Sequence, residues 1–192
     1  MSFYQPVGSQ SDVMRFKVMR LNSLIELSTA IPILENLGLR VLGEQPYKIK
    51  LSDNRIIWMH DFSLKFGLPI TLDVHIVKPF FESAFDATWL RRNESDGFNR
   101  LILAARLHWR EVSLLRAFAN YLKQTAFNSS LNFIADTLVA YPEITRNLVA
   151  LFKSNLDPRL NKESNKELSK EPKKENSRSE RLVHKTIEAL DA

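Results

Sequence analysis

The 192-residue sequence contains no cysteine, and its five glycines lie far apart. A chain without cysteine forms neither disulfides nor thiolate metal sites, and it suits a reducing compartment. Loops that bind the phosphates of nucleotides need several glycines within one turn, because backbone amides must approach the phosphate closely. The isolated glycines therefore exclude a recognisable Walker-type or dinucleotide-binding motif.

The sequence also lacks the segments that direct a protein to a membrane. No apolar run approaches the roughly 18 residues that a membrane-spanning helix requires. Residues 1–12 have neither the basic start nor the apolar centre of a signal peptide. We therefore expect a cytoplasmic protein that does not contact a membrane. The net charge of +5 is scattered, which favours solubility over nucleic-acid binding.

Residues 13–70 have the pattern of a small α+β module. Apolar and polar residues alternate over residues 13–21 and 55–64, which predicts half-buried strands. Residues 39–51 also predict a strand. The predicted order is strand, helix, strand, strand, and we expect a flexible N-terminus at residues 1–12.

The helix of this module is predicted from an apolar stripe of helical spacing. Ser28 is the expected N-cap, and Pro32 then falls in the first turn, where a missing amide matters little. Gly38 is expected to end the helix in a left-handed conformation. In the strand that follows, residues 43–46 predict a bend or a bulge.

Residues 71–158 predict a helical segment. Asp96 is the expected cap of one of its helices, and Ser129 or Ser130 caps a later one. The helix over residues 72–92 is interrupted or restarted at Pro79. The remaining predicted helices cover residues 98–107, 109–124, 130–139 and 142–156.

The last part of the chain changes composition. Residues 159–179 contain a four-residue Lys-Glu repeat without aromatic residues, which predicts a disordered linker. Residues 180–192 predict a terminal amphipathic helix, whose apolar side needs a surface on which to dock.

No catalytic, cofactor-binding or metal-binding residue is assigned from the sequence. The four histidines have no metal-ligand spacing, and His60 and Asp61 lie in a strand, where adjacent side chains point to opposite faces. We interpret His60 as a packed or half-exposed strand residue, with a zinc or acid-base role as the alternative. Glu94 and Asp96 are best explained as acids near the positive end of a helix.

Four arginines of the helical segment could hold an anionic group, and they occupy positions 91, 92, 100 and 106. We favour another interpretation, in which these arginines lie on solvated faces or pair with Glu94, Asp96 and Glu111.

Several stretches, in order, resemble the large bacterial NAD-dependent glutamate dehydrogenases over about residues 13–158. They are IPILENLGLRVLGEQPY at residues 31–47, WMHDF at 58–62, ESDGFNRL at 94–101, WREV at 109–112 and LRAF at 115–118. The chain departs from the family pattern at Gly43 and Gln45, which replace Asp and Arg. It departs again at Arg106, where the family usually has Gly, and at His108, where it has a capping Ser. The Lys-Glu repeat resembles an insertion.

The resemblance implies the last ACT-like module of that family, followed by a helical segment that precedes the catalytic domain. An ACT module is βαββαβ, and no clear last strand is visible here, so the module is partial or rearranged. The expected fold class is α+β: a partial ACT-like or ferredoxin-like β-α-β-β unit, an α-helical bundle and a disordered charged linker. The resemblance also implies that NAD and the catalytic lysine belong to the parent enzyme and not to this chain.

The function expected from the resemblance is that of a non-catalytic regulatory or structural fragment of glutamate dehydrogenase. The fragment either assembles with a separate catalytic chain or is the remnant of a split gene, and a second copy of itself is a further candidate partner. An alternative is a stand-alone ACT-like sensor of amino acids, although residues 21–24, where strand meets helix, have no Gly to admit a ligand. A weaker rival is nucleic-acid binding through the tail. We also expect exposed apolar surface on the 180–190 helix and at the sheet edge left without its last strand.

Overall fold

The computed structural model describes residues 1–8, 13–67, 72–125 and 128–156. The predicted linker at residues 159–179 and the predicted helix at residues 180–192 lie outside these residues. The chain divides into two compact units, the first covering Met1–Asp136 and the second beginning at Thr137.

The first unit contains a four-stranded antiparallel sheet with the strand order β1-β2-β4-β3. The strands are β1 (Ser2–Tyr4), β2 (Val13–Leu21), β3 (Leu39–Lys50) and β4 (Ile56–Phe66). Helices α1 (Leu27–Asn36) and α2 (Val74–Trp89) contact the sheet, α1 at β3 and α2 at β1. Phe16 and Phe62 on the sheet and Phe81 and Phe85 on α2 are fully or almost fully buried, and their rings pack together. An aromatic core thus joins α2 to the sheet.

The N-terminus is not flexible throughout, as the sequence suggested, because residues 2–4 form β1. Phe3 has no exposed surface, and its ring stacks on Phe81 at a centroid distance of 4.1 Å. The Phe3 amide also donates a hydrogen bond of 2.8 Å to Glu82 on α2. Burial of one aromatic side chain therefore orders a strand of only three residues, which alternation cannot reveal at that length.

Strand β1 also explains how the module is rearranged. In a βαββαβ unit the last strand lies beside the first. Here β1 pairs antiparallel with β2 and takes that place from the other end of the module. The predicted open edge is therefore covered where β1 pairs with residues 15–17, and the order along the chain is β-β-α-β-β-α.

Helix α1 begins two residues earlier than predicted. Glu26, not Ser28, is its N-cap, and no side chain caps it. Pro32 consequently lies in the second turn, where it cannot donate to the Ser28 carbonyl. The predicted left-handed end is confirmed, since Gly38 has a φ of 88°.

Helix α2 runs through Pro79 without the predicted interruption. Buried Val77, Phe81 and Ala84 hold its inner face against the core, and this packing outweighs the hydrogen bond that proline removes. Asp73 caps α2 by accepting a 3.0 Å hydrogen bond from the His75 amide.

Strand β3 contains the predicted bulge, seen as a register shift between Val41 and Gly43. β3 is an edge strand, and no further strand pairs with its outer side. Pro46 is therefore tolerated, because its missing amide hydrogen leaves no neighbouring strand without a hydrogen bond.

The helices after α2 follow the predicted pattern with one shortening. A 3-10 turn (Gly97–Arg100) leads into α3 (Leu101–Ala104), which ends before residue 107 because Arg106 adopts a φ of +54°. The rest are α4 (Trp109–Gln124), α5 (Leu131–Ala140) and α6 (Pro142–Leu156). These elements confirm the α+β class. None of the described helices is both long and apolar enough to cross a membrane.

We predict that Phe3→Ala lowers the free energy of unfolding by roughly 3 kcal/mol, because it removes a fully buried aromatic ring. Chemical denaturation monitored by circular dichroism measures this change. Val7→Ala is the matched control in the same segment, since Val7 is fully exposed, and it should leave stability unchanged. Equal effects of the two substitutions would contradict the role given to β1.

Candidate functional site

Each ring nitrogen of His60 has a hydrogen-bond partner. Its ring is 3% exposed, and Nδ1 lies 2.7 Å from a carboxylate oxygen of Glu44. The Ile25 amide donates to Nε2 at 3.3 Å. These contacts confirm the interpretation of His60 as a packed strand histidine.

Asp61 points to the other face of the sheet, as predicted. It is 5% exposed and accepts two hydrogen bonds from the Arg15 guanidinium, at 3.1 and 2.8 Å. The hydrogen bond to Asp61 raises the pKa of Arg15 above its ordinary value. The pair joins β2 to β4 on the face of the sheet opposite the aromatic core.

Part-buried Asp96 and buried Asn99 and Arg116 form a polar group that we name the Arg116 cluster. Arg116 is 4% exposed, and its Nε and Nη2 atoms donate to the two Asp96 carboxylate oxygens at 2.6 and 2.9 Å. Nη2 also donates to Asn99 Oδ1 at 2.8 Å, and Asn99 Nδ2 donates to the Glu94 carbonyl. Asp96 additionally caps the 3-10 turn by accepting from the Phe98 amide. The Arg116 cluster thus fixes the start of α3 against α4.

Arg116 also lines an open cleft of about 680 Å³ within the first unit. The cleft lies between the first two turns of α1, the C-terminal end of α2, the segment that follows α2, and one side of α4. Its polar lining includes hydroxyl, amide and guanidinium groups, among them Ser28, Thr29, Arg91, Asn93, Arg116 and Asn120. Trp89 and Pro32 provide apolar walls. A cleft of this size and mixed lining suits a small ligand.

The C-terminal end of α2 places Arg91 in this lining through a two-bond helix cap. The Arg92 amide donates to the Ala87 carbonyl at 2.7 Å, and the Arg91 amide donates to the Thr88 carbonyl at 3.0 Å. Arg91 has a φ of +56°, at a position that glycine usually occupies in this motif. A residue in an unfavourable backbone conformation, Arg91, therefore lines the cleft.

Arg91, Arg92 and Arg106 are exposed, as the interpretation of solvated faces predicted. The pairing alternative is wrong for two arginines, because Arg92 pairs with Asp86 and Arg100 pairs with Asp136. The acids of the 94–96 segment contact Arg116, which was not among the four arginines predicted from the sequence. A signal was present, because position 116 falls on the apolar stripe of α4 at helical spacing with Val112, Leu115 and Ala119. A charged residue on such a stripe is buried with a partner.

The start of α4 shows why histidine can stand where the family has a capping serine. His108 Nδ1 accepts from the Arg110 amide at 3.3 Å, and the Glu111 carboxylate accepts from the His108 amide at 2.6 Å. This reciprocal pair is a capping box built on an imidazole.

Comparison with known proteins matches the chain in two regions. A model for the ACT3 domain of glutamate dehydrogenase matches residues 1–76, and one for helical motif 3 of glutamate dehydrogenase matches residues 93–158. The chain belongs to the NAD-specific glutamate dehydrogenase family. The matched ACT3 region includes β1, which lies outside the module predicted over residues 13–70.

Individual relatives agree with this assignment. The chain is 42% identical to an NAD-specific glutamate dehydrogenase of Halomonas elongata over 158 residues, which are 82% of this chain and 10% of the relative. It is 42% identical to that of Pseudomonas aeruginosa over 80% of this chain and 10% of the relative. The Mycobacterium tuberculosis protein is 34% identical over 69% of this chain and 8% of the relative. The chain therefore spans about a tenth of the length of the curated relatives it matches.

The family assignment gives the Arg116 cluster a sequence context. The cluster joins the DGFNR and LRAF stretches through which the chain resembles glutamate dehydrogenases. Both stretches lie in helical motif 3, whereas Ser28 and Thr29 across the cleft lie in the ACT3 region. The cleft is thus lined by residues of both matched regions.

We predict that Arg116→Gln lowers the free energy of unfolding by roughly 1.5–3 kcal/mol, because it removes the charge-assisted hydrogen bonds between the buried guanidinium and the part-buried Asp96 carboxylate. Arg92→Gln is the matched control, since it breaks an exposed pair that contributes about 0–1 kcal/mol. Urea denaturation of both variants measures the difference. Similar losses would show that the Arg116 cluster does not stabilise the fold.

Arg106→Gly should raise the free energy of unfolding by roughly 0.5–1 kcal/mol, because glycine adopts the observed positive φ without steric strain. Thermal and chemical denaturation measure the gain. Arg110→Gly, inside α4, should have the opposite sign, since glycine is unfavourable in a helix. If the Arg106→Gly variant is less stable, the Arg106 side chain makes a contact whose stabilising free energy exceeds the cost of the backbone strain.

Proposed function

We propose that this chain is a non-catalytic regulatory and structural part of an NAD-dependent glutamate dehydrogenase. It works by docking on the catalytic portion of that enzyme, which is carried on a separate chain. The reaction proposed for the whole enzyme is the oxidative deamination of glutamate to 2-oxoglutarate. NAD is bound by the catalytic portion, and this chain contributes neither a cofactor site nor a metal site.

The observation that carries the proposal is an apolar surface on the face of the sheet opposite the aromatic core. Two rows of side chains cross β2, β4 and β3 in register there. The first row is Met19, Met59 and Tyr47, and the second is Leu21, Ile57 and Ile49. We name these six residues the sheet-face patch.

The side chains of the sheet-face patch are more exposed than apolar side chains usually are in a folded domain. Met19, Leu21 and Ile49 are 52%, 49% and 42% exposed, and Tyr47 is 38% exposed. Contiguous exposed apolar side chains mark interaction surfaces. Because the matched relatives are about ten times longer than the aligned region, the rest of such an enzyme is the partner we assign to this face.

The proposal is tested by affinity capture of the tagged chain from its own cells, followed by an assay of glutamate-dependent NADH formation in the eluate. We predict activity in the eluate of the unmodified chain and none from the purified chain alone. Ile49→Glu places a charge in the sheet-face patch and should abolish recovery of the activity. Mass spectrometry identifies the captured catalytic portion and its chain.

Ile76→Glu is the matched control, because Ile76 is 44% exposed on α2 and lies outside the sheet-face patch. It should retain the activity. Capture of only a second copy of the chain, or equal loss from both substitutions, would contradict docking on the catalytic portion. Activity in the purified chain would overturn its non-catalytic role.

A further inference from the structure

We propose that the cleft between α1, the end of α2 and α4 binds a small anion that carries a carboxylate or phosphate group. Arg91 and Arg116 are the residues that hold this group. The site involves neither the sheet-face patch nor residues 21–24, and its occupancy can be measured without reference to the proposed function.

Arg116 provides a donor that the fold leaves unused. Its Nε and Nη2 atoms are engaged by the Arg116 cluster, whereas Nη1 donates to none of the described residues. Arg116 is 4% exposed, and it is one of the residues that line the cleft. A guanidinium that is held in place by other contacts and has a nitrogen left over can donate to an oxyanion.

Arg91 supplies the second positive charge. Among the described residues no carboxylate forms an ion pair with it, in contrast to Arg92, which pairs with Asp86. Its φ of +56° is a conformation in which a side chain is unfavourable, and glycine would relieve the strain. Arg91 therefore contributes a positive charge to the lining of the cleft.

The opposite wall is also suited to an anion. Ser28 and Thr29 lie in the first turn of α1, whose N-cap Glu26 makes no side-chain cap. The first-turn amides carry the positive end of the helix dipole, and the two hydroxyl groups add donors. Pro32 and Trp89 bound the space with apolar surface, which leaves room for a short carbon chain.

Glu94 contributes a carboxylate to the lining of the cleft, and this carboxylate interacts only weakly with the Arg116 guanidinium. Its Oε2 lies 3.5 Å from Arg116 Nε, and its side chain is 74% exposed. A ligand carboxylate or phosphate would therefore compete with an exposed side chain and not with the Asp96 pair. Because Ser28 and Thr29 belong to the ACT3 region and Arg116 belongs to helical motif 3, occupancy would tie α1 to α4.

The test is a titration of the ¹⁵N-labelled full chain with inorganic phosphate and, separately, with succinate, followed by two-dimensional NMR. Potassium chloride at matched ionic strength is the reference. We expect saturable shifts of the Ser28, Thr29 and Asn120 amides. The stronger of the two probes tells whether the group recognised is a phosphate or a carboxylate.

Arg91→Gly separates binding from folding, because it removes the guanidinium while relieving the backbone strain. It should weaken the apparent Kd roughly tenfold, as expected for loss of a charge-assisted hydrogen bond. Arg91→Lys should restore part of the affinity. Arg106→Gly is the matched control, since it removes an arginine of the same backbone conformation outside the cleft, and it should leave the Kd unchanged. Shifts no larger than those with chloride, shifts confined to other residues, or equal weakening by the two glycine variants would overturn the proposal.

Discussion

The ion pair between buried Arg116 and part-buried Asp96 holds together the part of the molecule in which α3, α4 and the cleft meet. Asp96 performs two tasks, because it accepts from Arg116 and also caps the 3-10 turn that leads into α3. The buried Arg116 charge would be unfavourable without a partner, so Arg116 depends on the Asp96 carboxylate. Arg116 is also one of the residues that line the cleft. The Arg116–Asp96 ion pair therefore contributes both to the stability of the fold and to the candidate binding site.

A second constraint is the completion of the sheet. The module is built as β-β-α-β-β-α, and β1 fills the place beside β2 that the final strand of a βαββαβ unit would take. In this arrangement β1, which buried Phe3 anchors, covers part of one edge of the sheet. The face of the sheet opposite the aromatic core stays exposed. The exposed rows of the sheet-face patch then remain as apolar surface. In a family whose members are far longer than the matched region, such a face is a natural place for contact with another domain.

The two candidate surfaces lie in different environments. The sheet-face patch is apolar and spread over three strands, which suits a protein surface, whereas the cleft is concave and rich in donors, which suits a small anion. Between them lies the aromatic core of Phe16, Phe62 and Phe81, and α1 and α2 contact the sheet on the side of this core. A ligand that bound both α1 and α4 would therefore act on α1, which contacts the sheet at β3.

Local pattern by itself determined the strands β2 and β4, the bulge in β3, the left-handed Gly38 and the start of α6, because each depends on neighbours a few residues away. The ordered motifs determined the family. Tertiary structure decided what local pattern could not: the burial of Phe3, the course of α2 through Pro79, and the partner of Asp96, which lies 20 residues along the chain. It also brought Ser28, Arg91 and Arg116 to one cleft. These outcomes depend on packing between distant segments, whose energies exceed the local preferences of a short strand, a proline or a surface acid.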